Sequence, residues 1–186
     1  MAMPQQQLSL EDFLRLPEEE PALEFEAGRI TQKVAPKGRH SALQFELAEL
    51  FNRSARPQRL ARAFPELRTT FGGRSYVPDV AVYQWARIPR TPAGEVADDF
   101  EIPPDIAVEI VSPSQSATTL VRRCLWYVAN GVRIALLVDP ADASVLLFRP
   151  DQIPGALHES DSIDFGDVLP GFGLTVRELF DSLKLP

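Results

Sequence analysis

Two carboxylates stand out because each interrupts an apolar run. Glu109 sits in Asp105-Ile106-Ala107-Val108-Glu109-Ile110-Val111-Ser112-Pro113, and Asp79 follows a proline in Tyr76-Val77-Pro78-Asp79-Val80-Ala81-Val82-Tyr83. Both sets of alternating positions around Glu109 are largely apolar, as in a strand covered on both faces. An unpaired buried charge is costly, so Glu109 calls for a bound cation, a basic partner or a wet cleft. The two acids are 30 residues apart, far enough to occupy neighbouring strands. If those strands pair, Asp79 and Glu109 converge and could hold one hard cation such as Mg²⁺, which takes a few carboxylates and keeps water. The structural alternative is a partly buried ion network in which Arg122 or Arg123 neutralises the acids.

The elements that must position these residues follow from pattern. Tyr76 to Tyr83 reads as one strand with Asp79 near its start; Pro78 cannot donate to a ladder and suits a strand's first position or an edge. After the Glu109 strand, a turn and cap at Ser112-Pro113-Ser114-Gln115-Ser116 leads into a helix from about Ala117 to Asn130. Leu120, Cys124, Tyr127 and Val128 share one side of it, and Asn130-Gly131 is its stop. Val132 to Asp139 is a second apolar strand, so strand, helix and strand predict a right-handed crossover. Upstream, Ser9 and Asp12 open a short helix, and Leu23 to Val34 reads as a hairpin about a glycine turn. His40 to about Ala55 has helical spacing at Leu43, Leu47, Leu50 and Phe51. Periodicity makes Glu24 a solvent-facing strand residue, with a third site acid as the alternative. His40, at a helix entry, is expected at the surface, with a reach into a cleft at the helix start as the alternative. Further strands are expected at Leu60–Phe64, Leu67–Phe71 and Ser144–Arg149, with a last helix near Val176 to Leu183. The stretch from Trp85 to Pro104 is expected to be a disordered crossing or a functional flap.

Composition narrows the chemistry. The 186 residues suit one domain with a proper core. One cysteine, Cys124, excludes an intramolecular disulfide, and two histidines with it make a structural zinc site improbable. No run spans a bilayer and Met1 to Gln7 lacks a secretory pattern, so a cytoplasmic location is expected. The net charge of −7 argues against indiscriminate nucleic-acid binding, yet Arg29 to Arg90 holds twelve basic and four acidic residues. That segment could present a basic face to a phosphate backbone or be ordinary solvated surface. No GxxxxGK[ST], GxGxxG or GxSxG motif occurs. Cys124 is on the apolar side of its helix and reads as core. Metal-assisted hydrolysis is what remains.

Pro78-Asp79, Val108-Glu109-Ile110-Val111-Ser112-Pro113, Trp126-Tyr127-Val128-Ala129-Asn130-Gly131-Val132 and Leu137-Val138-Asp139-Pro140, in that order, resemble the Uma-type restriction endonuclease family, a branch of the PD-(D/E)XK nuclease superfamily. The likeness extends to Leu23–Ile30 and His40-Ser41 and so covers nearly the whole chain. It implies an α/β, restriction-endonuclease-like fold: a mixed central β-sheet flanked by helices, with an extra N-terminal hairpin and C-terminal strands and helix. It implies Asp79 and Glu109 as ligands of Mg²⁺ or Mn²⁺, Glu24 as a further acid, and DNA as substrate. The superfamily's lysine, two residues after the glutamate, is Val111 here. The Uma-type pattern resembles a migrated version on the following helix, where this chain has Arg123. The three lysines, Lys33, Lys37 and Lys184, match neither place. Arginine stabilises phosphate charge but is a poor general base, so the resemblance implies an endonuclease impaired at this position. A catalytically inactive nuclease-fold module that binds DNA or pairs as a dimer is the alternative. A homodimer suits either, since two-fold pairing lets two sites meet two strands.

Overall fold

The computed structural model describes residues 8–113 and 115–185. The expectations at Met1–Gln7 and Ser114 lie outside these. In chain order the elements are α1 (Leu10–Leu14), β1 (Leu23–Glu26), β2 (Arg29–Gln32), α2 (Gly38–Ala55), β3 (Ala61–Pro65), β4 (Thr69–Phe71) and β5 (Arg74–Tyr76). Then come β6 (Val80–Gln84), β7 (Ile106–Ile110), α3 (Ala117–Ala129), β8 (Ile134–Asp139), β9 (Ser144–Phe148), β10 (Gly155–His158) and α4 (Val176–Asp181). They form a six-stranded sheet, β10-β9-β8-β7-β6-β3, and a four-stranded sheet, β2-β1-β5-β4. The six-stranded sheet is mixed: β7 and β8 run parallel, and the other pairs are antiparallel. A parallel pair needs a crossover, and α3 supplies it.

The period-2 side chains of the large sheet sort onto two faces. Val80, Val82, Ile106, Val108, Ile110, Ile134, Leu136 and Val138 pack with Leu43, Leu47 and Phe51 of α2 and with Phe165, Leu169 and Leu179 from the C-terminal segment. On the other face, Ala107, Ala135 and Leu137 pack with Leu120, Cys124 and Tyr127 of α3. All five residues of β7 are buried, because both faces of a central strand are covered. Glu109 shares the parity of Ala107 and therefore points to the α3 side. Cys124 is fully buried core, as expected.

Two sequence expectations are corrected. Tyr76 to Tyr83 is not one strand: β5 ends at Tyr76 in the small sheet and β6 begins at Val80 in the large one. Pro78 has no N–H to give either ladder, so the chain changes sheets there and leaves Asp79 at the junction. The stretch after β6 is not a disordered crossing. Ile88 and Phe100 are buried against Ala81 and Tyr83, and Asp105, fully buried, ion-pairs with Arg87 at 2.6 Å while accepting the Gln84 N–H at 2.7 Å. The β1–β2 hairpin turns through Ala27 and Gly28, both at positive φ (48° and 79°), which matches the twist of a two-residue hairpin.

Candidate functional site

Strand pairing brings the two acids together. β6 and β7 are antiparallel with Val80 opposite Val108, so Asp79 and Glu109 continue the register side by side at the sheet's end. The Ile110 N–H, one residue past Glu109, donates to Asp79 Oδ2 at 2.6 Å. His40 Nε2 lies 3.1 Å from the same oxygen. An ionised carboxylate only accepts, so the imidazole donates from Nε2. Lys33 Nζ lies 2.7 Å from Asp79 Oδ1. Burial pushes the Asp79 carboxyl up, but the His40 hydrogen bond and the Lys33 ammonium outweigh it and hold it below the ordinary value.

Glu109 has the opposite balance. Tyr127 Oη donates to Oε1 at 2.7 Å, and Arg123 Nη1 is 3.5 Å from that oxygen. Burial pushes the Glu109 carboxyl up to about 7; Arg123 opposes this, and the charges of Asp79 and Glu24 add to it. The guanidinium is committed elsewhere: it forks onto Glu24 with bonds of 2.9 and 2.6 Å and lies 4.3 Å over the Tyr76 ring. Glu24 also accepts the Val77 N–H at 3.0 Å. The small sheet thereby anchors the Arg123 charge against the large sheet's acid. Two neighbouring carboxyls pushed apart in proton affinity are a recurrent arrangement at working sites.

Asp79, Glu109, Glu24 and Arg123 lie in this one cluster, whereas Arg122 is exposed. Two secondary expectations are corrected. Glu24 is 3% exposed and not solvent-facing, because β1 is flanked by both β2 and β5 and buries Glu24 and Phe25 alike. His40 is 4% exposed, since the first turn of α2 packs against the sheet end that carries Asp79. Lys33, which matches no lysine position of the motif, is nevertheless in the site. It lies just past the β1–β2 hairpin, where its N–H pairs with the Ala22 carbonyl, and its side chain reaches Asp79 across from the other sheet. Tyr127 carried a weak signal: it is four residues after Arg123, one turn along the same helix face. Gln44 and Glu66 complete the network. Gln44 Nε2 donates to the Asp79 carbonyl at 3.0 Å and to Glu66 Oε1 at 2.9 Å.

Part of the basic segment is tied up in ion pairs. Lys33, Arg53, Arg68, Arg74 and Arg87 are each ion-paired to an acid. A cleft of about 300 Å³ lies apart from the acids, lined by residues that include Phe13, Leu16, Arg68 and Asp99. Among the described residues no three His, Cys, Asp or Glu side chains close into a metal cage. The pair Asp79 and Glu109 fits a less demanding ion: Mg²⁺ is held by one or two carboxylates and keeps several waters. Glu109 fits as well, since a carboxyl kept from ionising by burial and two like charges is one that a divalent ion would return to its anionic form. Among the described residues no helix is long and apolar enough to cross a membrane.

Residues 10–177 match the profile of the Uma2 family, described as "putative restriction endonuclease". Among solved structures, the chain is similar to a protein from Anabaena variabilis described as "a putative nuclease belonging to DUF820". The identity is 41% and the TM-score 0.92, over 95% of this chain and 99% of that one. No curated protein matches.

Proposed function

The chain belongs to the Uma2 restriction endonuclease family, and from that premise we propose that it is a metal-dependent endonuclease hydrolysing DNA phosphodiester bonds. The observation that carries this is the convergence of Asp79 and Glu109 on adjacent strands, with the Ile110 N–H fixing one acid beside the other. Asp79 and Glu109 would hold Mg²⁺ or Mn²⁺. When bound, the ion supplies charge neutralisation on the phosphate and activation of the attacking water.

The chain's own residues do the rest. His40 and Ile110 hold Asp79 in one orientation through Oδ2, so its carboxylate is preorganised. Tyr127 orients Glu109. Glu24 fixes the Arg123 guanidinium, keeping a permanent positive charge beside Glu109 where phosphate charge must be met. Arginine at 123 does not serve as a base; its part would be to meet phosphate charge.

The test is nicking of supercoiled plasmid in Mg²⁺ or Mn²⁺. Wild type is expected to cut, and Asp79→Asn and Glu109→Gln to lose roughly a hundredfold or more. A wild type that cuts no DNA with either metal, or variants that cut as well as it does, would overturn the reading. One feature favours a second reading, a non-cleaving DNA-binding or dimeric module: Arg123, in place of lysine, is spent on Glu24. That reading expects gel-shift binding or a stable dimer by light scattering, with no cleavage.

A further inference from the structure

Two cations, Lys33 and Arg123, serve the three buried acids of the site, and they are held differently. Arg123 is fixed by its fork onto Glu24 and by the Tyr76 ring beneath it. The Lys33 ammonium is shared between two carboxylates, 2.7 Å from Asp79 Oδ1 and 3.1 Å from Glu66 Oε1. The side chain of Asp79 is 2% exposed and that of Glu66 is 42% exposed. The ammonium therefore joins the buried acid to one that reaches solvent. Gln44 spans the same two residues and keeps them in register.

The two oxygens of Asp79 also differ. Oδ2 is fixed by the Ile110 N–H and by His40. Oδ1 is buried, and its partner is the Lys33 ammonium at the end of a flexible four-carbon arm. A divalent ion on this carboxylate and an ammonium at 2.7 Å repel each other strongly at low dielectric. That repulsion favours the ammonium moving away from Asp79, and Glu66 already offers it a second seat.

We propose that Lys33 is an exchangeable counter-ion of Asp79, which a divalent cation displaces onto Glu66, so that Glu66 is a positioning residue of the site. This rests on the metal-site reading of Asp79 and Glu109. It gives Lys33 two duties: it neutralises Asp79 before metal arrives, and afterwards it sets a positive charge beside Glu66, toward solvent. It also makes Lys33 a competitor that lowers metal affinity.

The test uses the full chain, labelled with ¹⁵N at lysine side chains, and Mg²⁺ or Mn²⁺ alone without nucleic acid. In wild type, saturating Mg²⁺ should shift the Lys33 side-chain signal while those of Lys37 and Lys184 stay fixed. Lys33→Met should bind Mn²⁺ roughly tenfold more tightly, by paramagnetic resonance of the free ion, because a repelling charge is gone. Glu66→Gln should bind it several-fold more weakly, because the displaced ammonium loses its seat. A wild type that binds Mg²⁺ with a static Lys33 signal overturns the exchange and leaves the metal site standing. So does a Lys33→Met variant that binds Mn²⁺ no more tightly than wild type. If wild type and both variants bind neither ion, the metal site itself fails and the exchange falls with it. The wild-type spectrum requires no substitution, so a poorly folded variant cannot mask the result.

Discussion

Replacing Glu109 with glutamine should change how stability depends on pH, and the direction follows from the site's charges. Several charged and titratable groups face Glu109: Asp79 beside it, Glu24, Lys33 and Arg123 around it, and Tyr127 and Cys124 on the face of α3. Burial, reinforced by Asp79 and Glu24, raises its carboxyl from 4.5 to about 7. Between these values the folded protein keeps a proton that the unfolded chain has released, so the folded state binds more protons and stability falls as pH rises. The full advantage is present below about 4.5, is lost progressively, and is gone above about 7. At about 1.4 kcal/mol per pK step, the loss is of order 3 kcal/mol. Asp79 is shifted the other way, below its usual value. Its contribution is present above the unfolded value and is lost only as pH falls through the lowered folded one, outside this window. The assay is urea unfolding in EDTA from pH 5 to 8, following the midpoint. Wild type should lose midpoint across the window. Glu109→Gln, which mimics the protonated acid, should lose far less and be the more stable protein at pH 8. Adding Mg²⁺ at pH 8 should return stability to wild type alone. Parallel profiles for the two proteins, or a wild type that gains stability toward pH 8, would refute the reasoning.

Further outcomes follow from the same contacts. Glu24→Gln removes the carboxylate that forks onto the buried Arg123 guanidinium and leaves it only Glu109, at 3.5 Å, and should cost about 3 kcal/mol by urea unfolding; a loss under about 1 kcal/mol would mean the pair is not closed in solution. Gly72→Ala puts a Cβ 2.7 Å from Asn130 Oδ1 and 2.9 Å from Trp126 Cζ2 at φ +56°. It should cost roughly 1–3 kcal/mol, which thermal melting would register. Asp105→Ala removes the acid that ties Arg87 and the Gln84 N–H. It should cost about 1–3 kcal/mol and expose the segment after β6 to limited proteolysis, while leaving Mn²⁺ affinity unchanged.

The central strands were legible because their chemistry is local. Glu109 interrupts an apolar alternation, Gly131 ends a helix at φ +101°, and a helix between two apolar strands predicts the parallel pair that β7 and β8 form. What joins the two sheets was not legible. The break at Pro78 was readable as a strand start, but the transfer of Tyr76 to the other sheet depends on which strand β5 pairs with, and that is not a local property. Glu24 has the alternation of an exposed position, yet Arg123, 99 residues away, makes burial tolerable. Lys33 is hardest: a long side chain after a hairpin could point anywhere, and only the juxtaposition of two sheets brings its ammonium to Asp79. Ile88, Phe100 and Ile102 were the available sign that the stretch after β6 packs as core, and their scatter among prolines and charges hid it.

Titration calorimetry of Mn²⁺ into the apo protein, beside Asp79→Asn and Glu109→Gln, tests whether the two acids work together. The account predicts saturable binding by wild type that either substitution alone abolishes. Binding that survives both substitutions, or a wild type that takes up no metal, would contradict it.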